Sequence, residues 1–295
     1  MSAEHKTNRQ PGDVETTGHS WDGIEEFNNP LPRWWLYTFY LCIVWGLGYT
    51  IFYPAWPMLT QATPGVLGAS TRADVAVDIQ RFADANADIK ARLVDTELTD
   101  IAADPDLASY AQNAGAAVFR TWCVQCHGSG AAGVQAAGYP NLLDDDWLWG
   151  GDIENIHTTI THGIRNTTSD EARYSQMPAF GELLERAEIE NLVQFVRQMS
   201  GQEHDAAVAE PGAELFADNC ASCHGDLGEG NRDLGAPRLN DAIWLYGGSE
   251  AAIRYSIVNA RFGVMPNFDA RLGEADIRSV AFYVHGLGGG EAAPE

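Results

Sequence analysis

Twice in 295 residues the chain places two cysteines and a histidine in the order C-x-x-C-H: Cys123-Val124-Gln125-Cys126-His127 and Cys220-Ala221-Ser222-Cys223-His224. Two thiols three positions apart can form thioethers to both vinyl groups of one porphyrin. The imidazole that follows then lies on one face of the macrocycle, within reach of its iron, so each motif reads as a c-type haem attachment site. A structural zinc site would want four Cys or His ligands, and beyond residue 42 the chain holds no cysteine outside the two motifs. The fifth cysteine, Cys42, lies in an apolar run, which leaves no pair for a structural disulfide. The expected cofactors are two covalently bound haem c, and covalent attachment in bacteria takes place outside the cytoplasmic membrane.

The motifs sit in an internal repeat, residues 109–201 and 206–290. A shift of 97 positions matches Phe119 with Phe216, Cys123 with Cys220, Pro140 with Pro237, Trp147 with Trp244 and Gly150-Gly151 with Gly247-Gly248. Further on the shift shortens to 88, aligning Met177-Pro178 with Met265-Pro266, so the first copy carries nine extra residues, which fall in the polar stretch 162–176. Each copy runs from a Phe-bearing helix through C-x-x-C-H, a Gly-rich loop, a helix after Gly-Gly and a Met-Pro loop to an amphipathic closing helix. This order resembles class I cytochromes c, whose first and last helices cross. The fold expected is therefore all-α, with tandem cytochrome c domains at 105–203 and 204–290 and a tail at 291–295. In each, porphyrin would replace much of the side-chain core that so small a domain lacks.

His127 and His224 are the expected proximal iron ligands. Thioether sulfur favours reduced iron and raises its potential, as electron-transfer cytochromes require, and Met177 and Met265 hold equivalent places before proline. The spacing allows His127 to pair with Met177 and His224 with Met265, and equally allows exchange between the copies. Pro140 and Pro237 each follow the proximal histidine by 13 residues, placed for a carbonyl to accept the histidine's second N–H. His157 and His162 lack histidine counterparts in the second copy and are expected as surface or hydrogen-bonding residues rather than iron ligands; Trp147 and Trp244 are expected to pack near a haem edge. With both irons six-coordinate no position is open to a substrate, which favours electron transfer over catalysis.

Ahead of the repeat, residues 1–33 read as a polar extended tail with at most a short turn around 21–27. Residues 34–53 carry no charge and, as a helix, span about 30 Å, the depth of a bilayer core. Trp34, Trp35 and Tyr37 flank one end and Phe52, Tyr53 and Trp56 the other, in the manner of interfacial belts. Lys6, Arg9 and Arg33 precede the span and the next base is Arg72, which places the N-terminus in the cytoplasm and the haem domains in the periplasm. Residues 54–104 form a connector with an amphipathic helix over 72–101. The net charge of −23 arises mainly from the haem-bearing segments, with 14 acids to 5 bases over 103–203 and 14 to 6 over 204–295. That sign excludes a nucleic-acid partner and suits a basic cytochrome c donor.

The segment Trp21-Asp22-Gly23-Ile24-Glu25-Glu26-Phe27-Asn28-Asn29-Pro30-Leu31-Pro32-Arg33-Trp34-Trp35, followed by one anchor helix and two haem c repeats, resembles the dihaem subunit III of cbb3-type cytochrome c oxidases, CcoP or FixP. The resemblance implies a single-pass protein of a bacterial inner membrane, partnered by a haem-copper catalytic subunit and a monohaem cytochrome c subunit. That complex reduces oxygen and pumps protons in respiration; this subunit would transfer electrons and not catalyse by itself. The resemblance also implies exchanged methionines, Met265 on the His127 haem and Met177 on the His224 haem. An anchored dihaem carrier serving a dehydrogenase or another reductase is the alternative.

Overall fold

A computed structural model describes residues 14–292. The first 13 residues of the expected N-terminal tail and the last three of the C-terminal tail lie outside the described residues. The chain divides into two compact units, residues 1–84 and 85–295.

The first unit opens with an antiparallel hairpin, β1 (Thr16–Trp21) and β2 (Ile24–Phe27), where an extended tail was expected. Asp22 and Gly23 between them both take positive φ, 48° and 83°. A two-residue Asp-Gly loop of this kind matches the right-handed twist of paired strands, so the turn dipeptide outweighs the lack of a long apolar period. Helix α1 (Arg33–Phe52) follows and is the one helix among the described residues long and apolar enough to cross a membrane. None of its side chains is buried. Pro54 halts it, with Tyr53 already extended. Beyond it comes α2 (Thr71–Ala85), also without a buried residue. The single helix expected over 72–101 is broken at Asn86, which sits at φ −105°, ψ 2°; α3 (Ala87–Asp95) and a 3-10 turn (Leu98–Ala103) complete the stretch. Asparagine is a weak helix former that tolerates such bridge-region geometry.

The second unit is built from helices with well-made starts. Helix α4 (Pro105–Val118) has proline at its first position and the Asp104 carboxylate accepting from the backbone of Asp106 and Leu107. A π-helical turn (Phe119–Cys123) leads into α5 (Val124–His127), and α6 (Ile153–His162) is capped by Asp152. Then follow α7 (Arg186–Met199), opened by a Glu185–Glu188 capping box, α8 (Ala206–Ala209), α9 (Gly212–Asn219), α10 (Ala221–His224), α11 (Glu250–Asn259) and α12 (Glu274–His285).

These helices enclose two cores, and neither core follows one copy of the repeat. The first joins Phe119, Leu142, Ile156 and Ile160 to Phe268, Ile277, Val280 and Val284 from the second copy. The second joins Phe180, Ile189, Leu192 and Val196 of the first copy to Phe216, Ile253 and Ile257. Helix α4 crosses α12, and α9 crosses α7. The correspondence is reciprocal to the residue: Phe119 meets Tyr283 at a ring separation of 5.5 Å, and Phe216 meets Phe195 at 5.4 Å. The boundaries 105–203 and 204–290 therefore do not separate the cores, because the closing segments are exchanged. Sequence pattern alone could not reveal this, since the two closing helices carry the same apolar stripe and either fits either core. A third cluster seats α3 and the 3-10 turn on the flank of the first core, through Leu93, Leu98 and Ile101 against Leu107, Ala111, Ile153 and Ala275. Lys90 fixes that contact with an ion pair to Asp276 at 2.8 Å.

Candidate functional site

Each C-x-x-C-H motif ends a short helix whose last residue is the histidine, and each helix is closed by a glycine at φ 78° or 79°. Beyond it the two copies make the same loop. The Gly133 amide donates to the His127 carbonyl at 2.9 Å and that of Gly230 to the His224 carbonyl at 2.8 Å. Leu142 and Leu239 close the loops onto Ala131 and Gly228. The folding back brings Pro140 and Pro237 against the imidazoles. A Cβ on Gly133 would lie 2.5 Å from the Pro140 carbonyl oxygen, so only glycine permits this approach.

The loop fixes the tautomer of both histidines. His127 Nδ1 lies 3.2 Å from the Pro140 carbonyl oxygen and His224 Nδ1 lies 2.9 Å from that of Pro237. A carbonyl can only accept, so Nδ1 carries the proton and the Nε2 lone pair is left for a metal. Burial pushes both imidazoles below their ordinary pKa, with the carbonyl contacts opposing part of that shift. The rings are therefore neutral at pH 7, the state that ligates. Burial also pushes the Cys123 and Cys220 thiols up to about 11, with Cys126 and Cys223 adding to it.

The methionines divide between the cores as the closing helices do. Met265 packs on the first core together with Cys123, and Met177 packs on the second together with Cys220. Each core thus brings the first thiol of one C-x-x-C-H motif together with a thioether, and the second thiol and the oriented imidazole follow within four residues, which completes the donor set of a c-type haem. Trp147 and Trp244 pack on the first and second cores respectively, and the Trp147 indole donates to the Gly289 carbonyl at 2.6 Å. His157 and His162 are turned to carboxylates instead, His157 Nε2 at 3.0 Å from Glu274 and His162 Nε2 at 3.0 Å from Glu171.

Three further polar residues lie outside the C-x-x-C-H and Met-Pro motifs. Trp149 is buried, and its Nε1 has no partner among the described residues; the same holds for Nε of Arg173, whose guanidinium lies 5.6 Å from the Trp149 ring. Arg165 approaches the same ring at 5.8 Å. Neither arginine forms an ion pair among the described residues. Buried donors that lack an acceptor carry a penalty, so these groups suit an anion that the polypeptide does not itself provide, such as a haem propionate. The repeat did hold one signal: Arg173 matches Arg261, each four residues before its methionine, and both donate to the carbonyl of a matched aromatic, Trp149 and Tyr246, whereas Arg165 lies in the inserted stretch.

Comparison with known proteins agrees with this geometry. Residues 13–60 match the family model described as the N-terminal domain of cytochrome oxidase-cbb3, FixP. Residues 111–196 and 207–284 each match that of cytochrome c oxidase, cbb3-type, subunit III. The chain is 68% identical, over 97% of its length and 98% of the relative's, to the cbb3-type cytochrome c oxidase subunit CcoP of Cereibacter sphaeroides. It is 56% identical to the CcoP subunit of Rhodobacter capsulatus and 48% identical to the FixP subunit of Sinorhizobium medicae, in both cases over 99% of its own length and the whole of the relative.

Proposed function

The chain belongs to the CcoP/FixP family of cbb3-type cytochrome c oxidase subunits, and on that premise we propose that it carries two haem c groups and passes electrons from a basic cytochrome c donor towards the haem-copper subunit. Cys123 and Cys126 hold one haem and Cys220 and Cys223 the other. His127 and Met265 complete the first iron, His224 and Met177 the second. The observation that carries this reading is the sorting of the methionines: each C-x-x-C-H motif, through Cys123 or Cys220, shares its core with the methionine of the other copy.

When bound, each haem supplies an iron that gains and loses one electron at a time. The chain's residues create the conditions for that exchange. The carbonyls of Pro140 and Pro237 hold the imidazole planes and raise their basicity. The thioethers of Met265 and Met177 favour reduced iron, and the apolar cores exclude water, which limits the reorganisation each electron demands. Trp149 Nε1 and Arg173 Nε are suited to a propionate, whose charge would end their isolation.

The rest of the proposal concerns placement. Helix α1 anchors the protein in a bacterial inner membrane with its N-terminus in the cytoplasm and the second unit in the periplasm, supported by the basic residues before the helix and by the site of covalent haem attachment. The haem-copper subunit and a monohaem cytochrome c subunit are its partners in the complex.

Substituting each methionine with leucine tests the ligand assignment. Met265→Leu is expected to retain two covalent haems and to lower the potential of one of them; Met177→Leu is expected to lower the other. A protein with fewer than two covalent haems in its unsubstituted form, or a redox titration unmoved by either change, would refute the reading.

A further inference from the structure

The nine residues by which the first copy exceeds the second make a loop that reaches the methionine segments of both cores. Ile164 pairs with Met265 through both backbone groups, each at 2.9 Å, and the Asn166 side chain donates to the same Met265 carbonyl at 3.2 Å. Arg165, the next residue, turns sharply at φ 53°, a conformation non-glycine residues adopt at a cost and that clusters at functional positions. Its backbone amide donates to the Arg173 carbonyl at 2.8 Å. Its guanidinium donates from Nε to the carbonyl of Ser175 and from Nη1 to the carbonyl of Gly263, the latter at 3.2 Å.

Those two carbonyls hold equivalent places. Ser175 stands two residues before Met177, and Gly263 stands two before Met265. A single rigid fork therefore grips both methionine loops at the same point of their repeat. Arginine suits the task because its planar guanidinium presents donors in fixed directions. Both loops are irregular backbone between helices, so each relies on contacts of this kind for its position. No second clamp is needed for the second copy, and its matching stretch, Asn259 to Val264, is shorter by the whole insertion.

We propose that Arg165 is a positioning residue that couples the two methionine loops, so that methionine ligation at both haems is held by one side chain. This rests on the ligand assignment proposed above. Losing the fork would loosen both loops together, although Arg165 belongs to only one copy. Removing its positive charge would in addition favour the more positive ferric state at both centres, so the two effects lower both potentials.

The test uses the full chain purified in mild detergent with its haems attached. Three quantities are measured for wild type, Arg165→Gln and Arg165→Lys: covalent haem content, the red absorption band of methionine-ligated ferric haem, and the potential of each haem. The Met177→Leu and Met265→Leu variants identify which signal belongs to which centre. The expected result for Arg165→Gln is two retained haems, a weakened band from both centres, and both redox equilibria moved about tenfold towards the ferric form, 59 mV for one electron. Arg165→Lys keeps the charge but loses the fork, so it should preserve more of the potential than of the band. A change confined to one haem, or none at either, with haem content intact, overturns the proposal. If Arg165→Gln fails to accumulate, the lysine variant decides alone: weakened bands at both centres support the coupling and a one-sided effect sinks it. Fewer than two haems in wild type would instead count against the ligand assignment.

Discussion

Glycine 115 offers the sharpest test of the exchanged architecture. It lies in α4 where that helix crosses α12, and a Cβ there would sit 2.1 Å from the Ser279 carbonyl oxygen and 2.7 Å from Tyr283 Cβ. Since carbon contacts settle near 3.5 Å, the helices must part by roughly 1 Å to admit alanine. Overpacking of this kind costs about 1–3 kcal/mol, and alanine's better helix propensity returns about 1 kcal/mol. The expected net loss for Gly115→Ala is then up to about 2 kcal/mol and centred near 1 kcal/mol, a fall in Tm of about 2–4 °C at that centre for a unit of this size. Thermal melts followed by circular dichroism on the haem-loaded protein would measure it. A double-mutant cycle adds the discriminating step. With Tyr283→Ala, the residue α12 presents to Gly115, the effects should couple by more than about 0.5 kcal/mol; with Phe195→Ala, its counterpart on α7, they should add. Coupling to Phe195 and additivity with Tyr283 would refute the crossing of copies, and a melt raised by Gly115→Ala would refute the close contact itself.

Two further outcomes follow from electrostatics. Asp146 is held at about 6, above the ordinary 3.8, by burial first and then by Asp241 and Asp144. Between those values the native protein keeps a proton that the unfolded chain has lost, so the stability it contributes is full below about pH 4 and falls as pH rises through 6. Asp146→Asn should therefore flatten the decline between pH 4 and 7 by about 1–3 kcal/mol in denaturant titrations, and a slope equal to wild type would contradict it. The acidic second unit should also attract a basic cytochrome c over a range set by the Debye length, about 8 Å at 0.15 M salt. Turnover limited by that donor should fall as ionic strength rises, and a rate indifferent to salt would exclude the steering.

The chemistry was more legible than the topology, for a physical reason. Covalent haem attachment would demand fixed spacing, so the candidate motifs Cys123 to His127 and Cys220 to His224 stand out locally, and Pro140 and Pro237 follow by simple distance along the loop. Helix α1 was equally plain, because a membrane-length apolar run has few other uses. The hairpin at 16–27 was missed although Asp22-Gly23 announced it, since its strands are short and lie outside any apolar period. The crossing of α4 with α12 was invisible because it depends on shape at one position. Gly115 and Gly212 occupy the same place in the two copies, and both permit a close approach, to Ser279 and to Asn191 respectively. Those two partners also match across the repeat, so pattern alone left both pairings open. The arginine fork was missed for a different reason: its acceptors are backbone carbonyls, which leave no trace in residue type.

The exchange also bears on what kind of carrier the second unit can be. Two cytochrome domains joined by a flexible tether would sample a range of separations, and transfer between their haems would depend on chance encounters. Here each core takes its closing helix and its methionine loop from the other copy, so separation of the lobes would require pulling α7 out of one core and α12 out of the other. Further contacts reinforce the union: beyond the exchanged segments Gln135 donates across to the Trp244 carbonyl at 2.6 Å, and within the Met177 loop the Ser175 hydroxyl donates to the Leu234 carbonyl. The distance between the two proposed haem sites is thus fixed by packing at the same cost that fixes the cores themselves, which is the condition that steady transfer from one haem to the next would require.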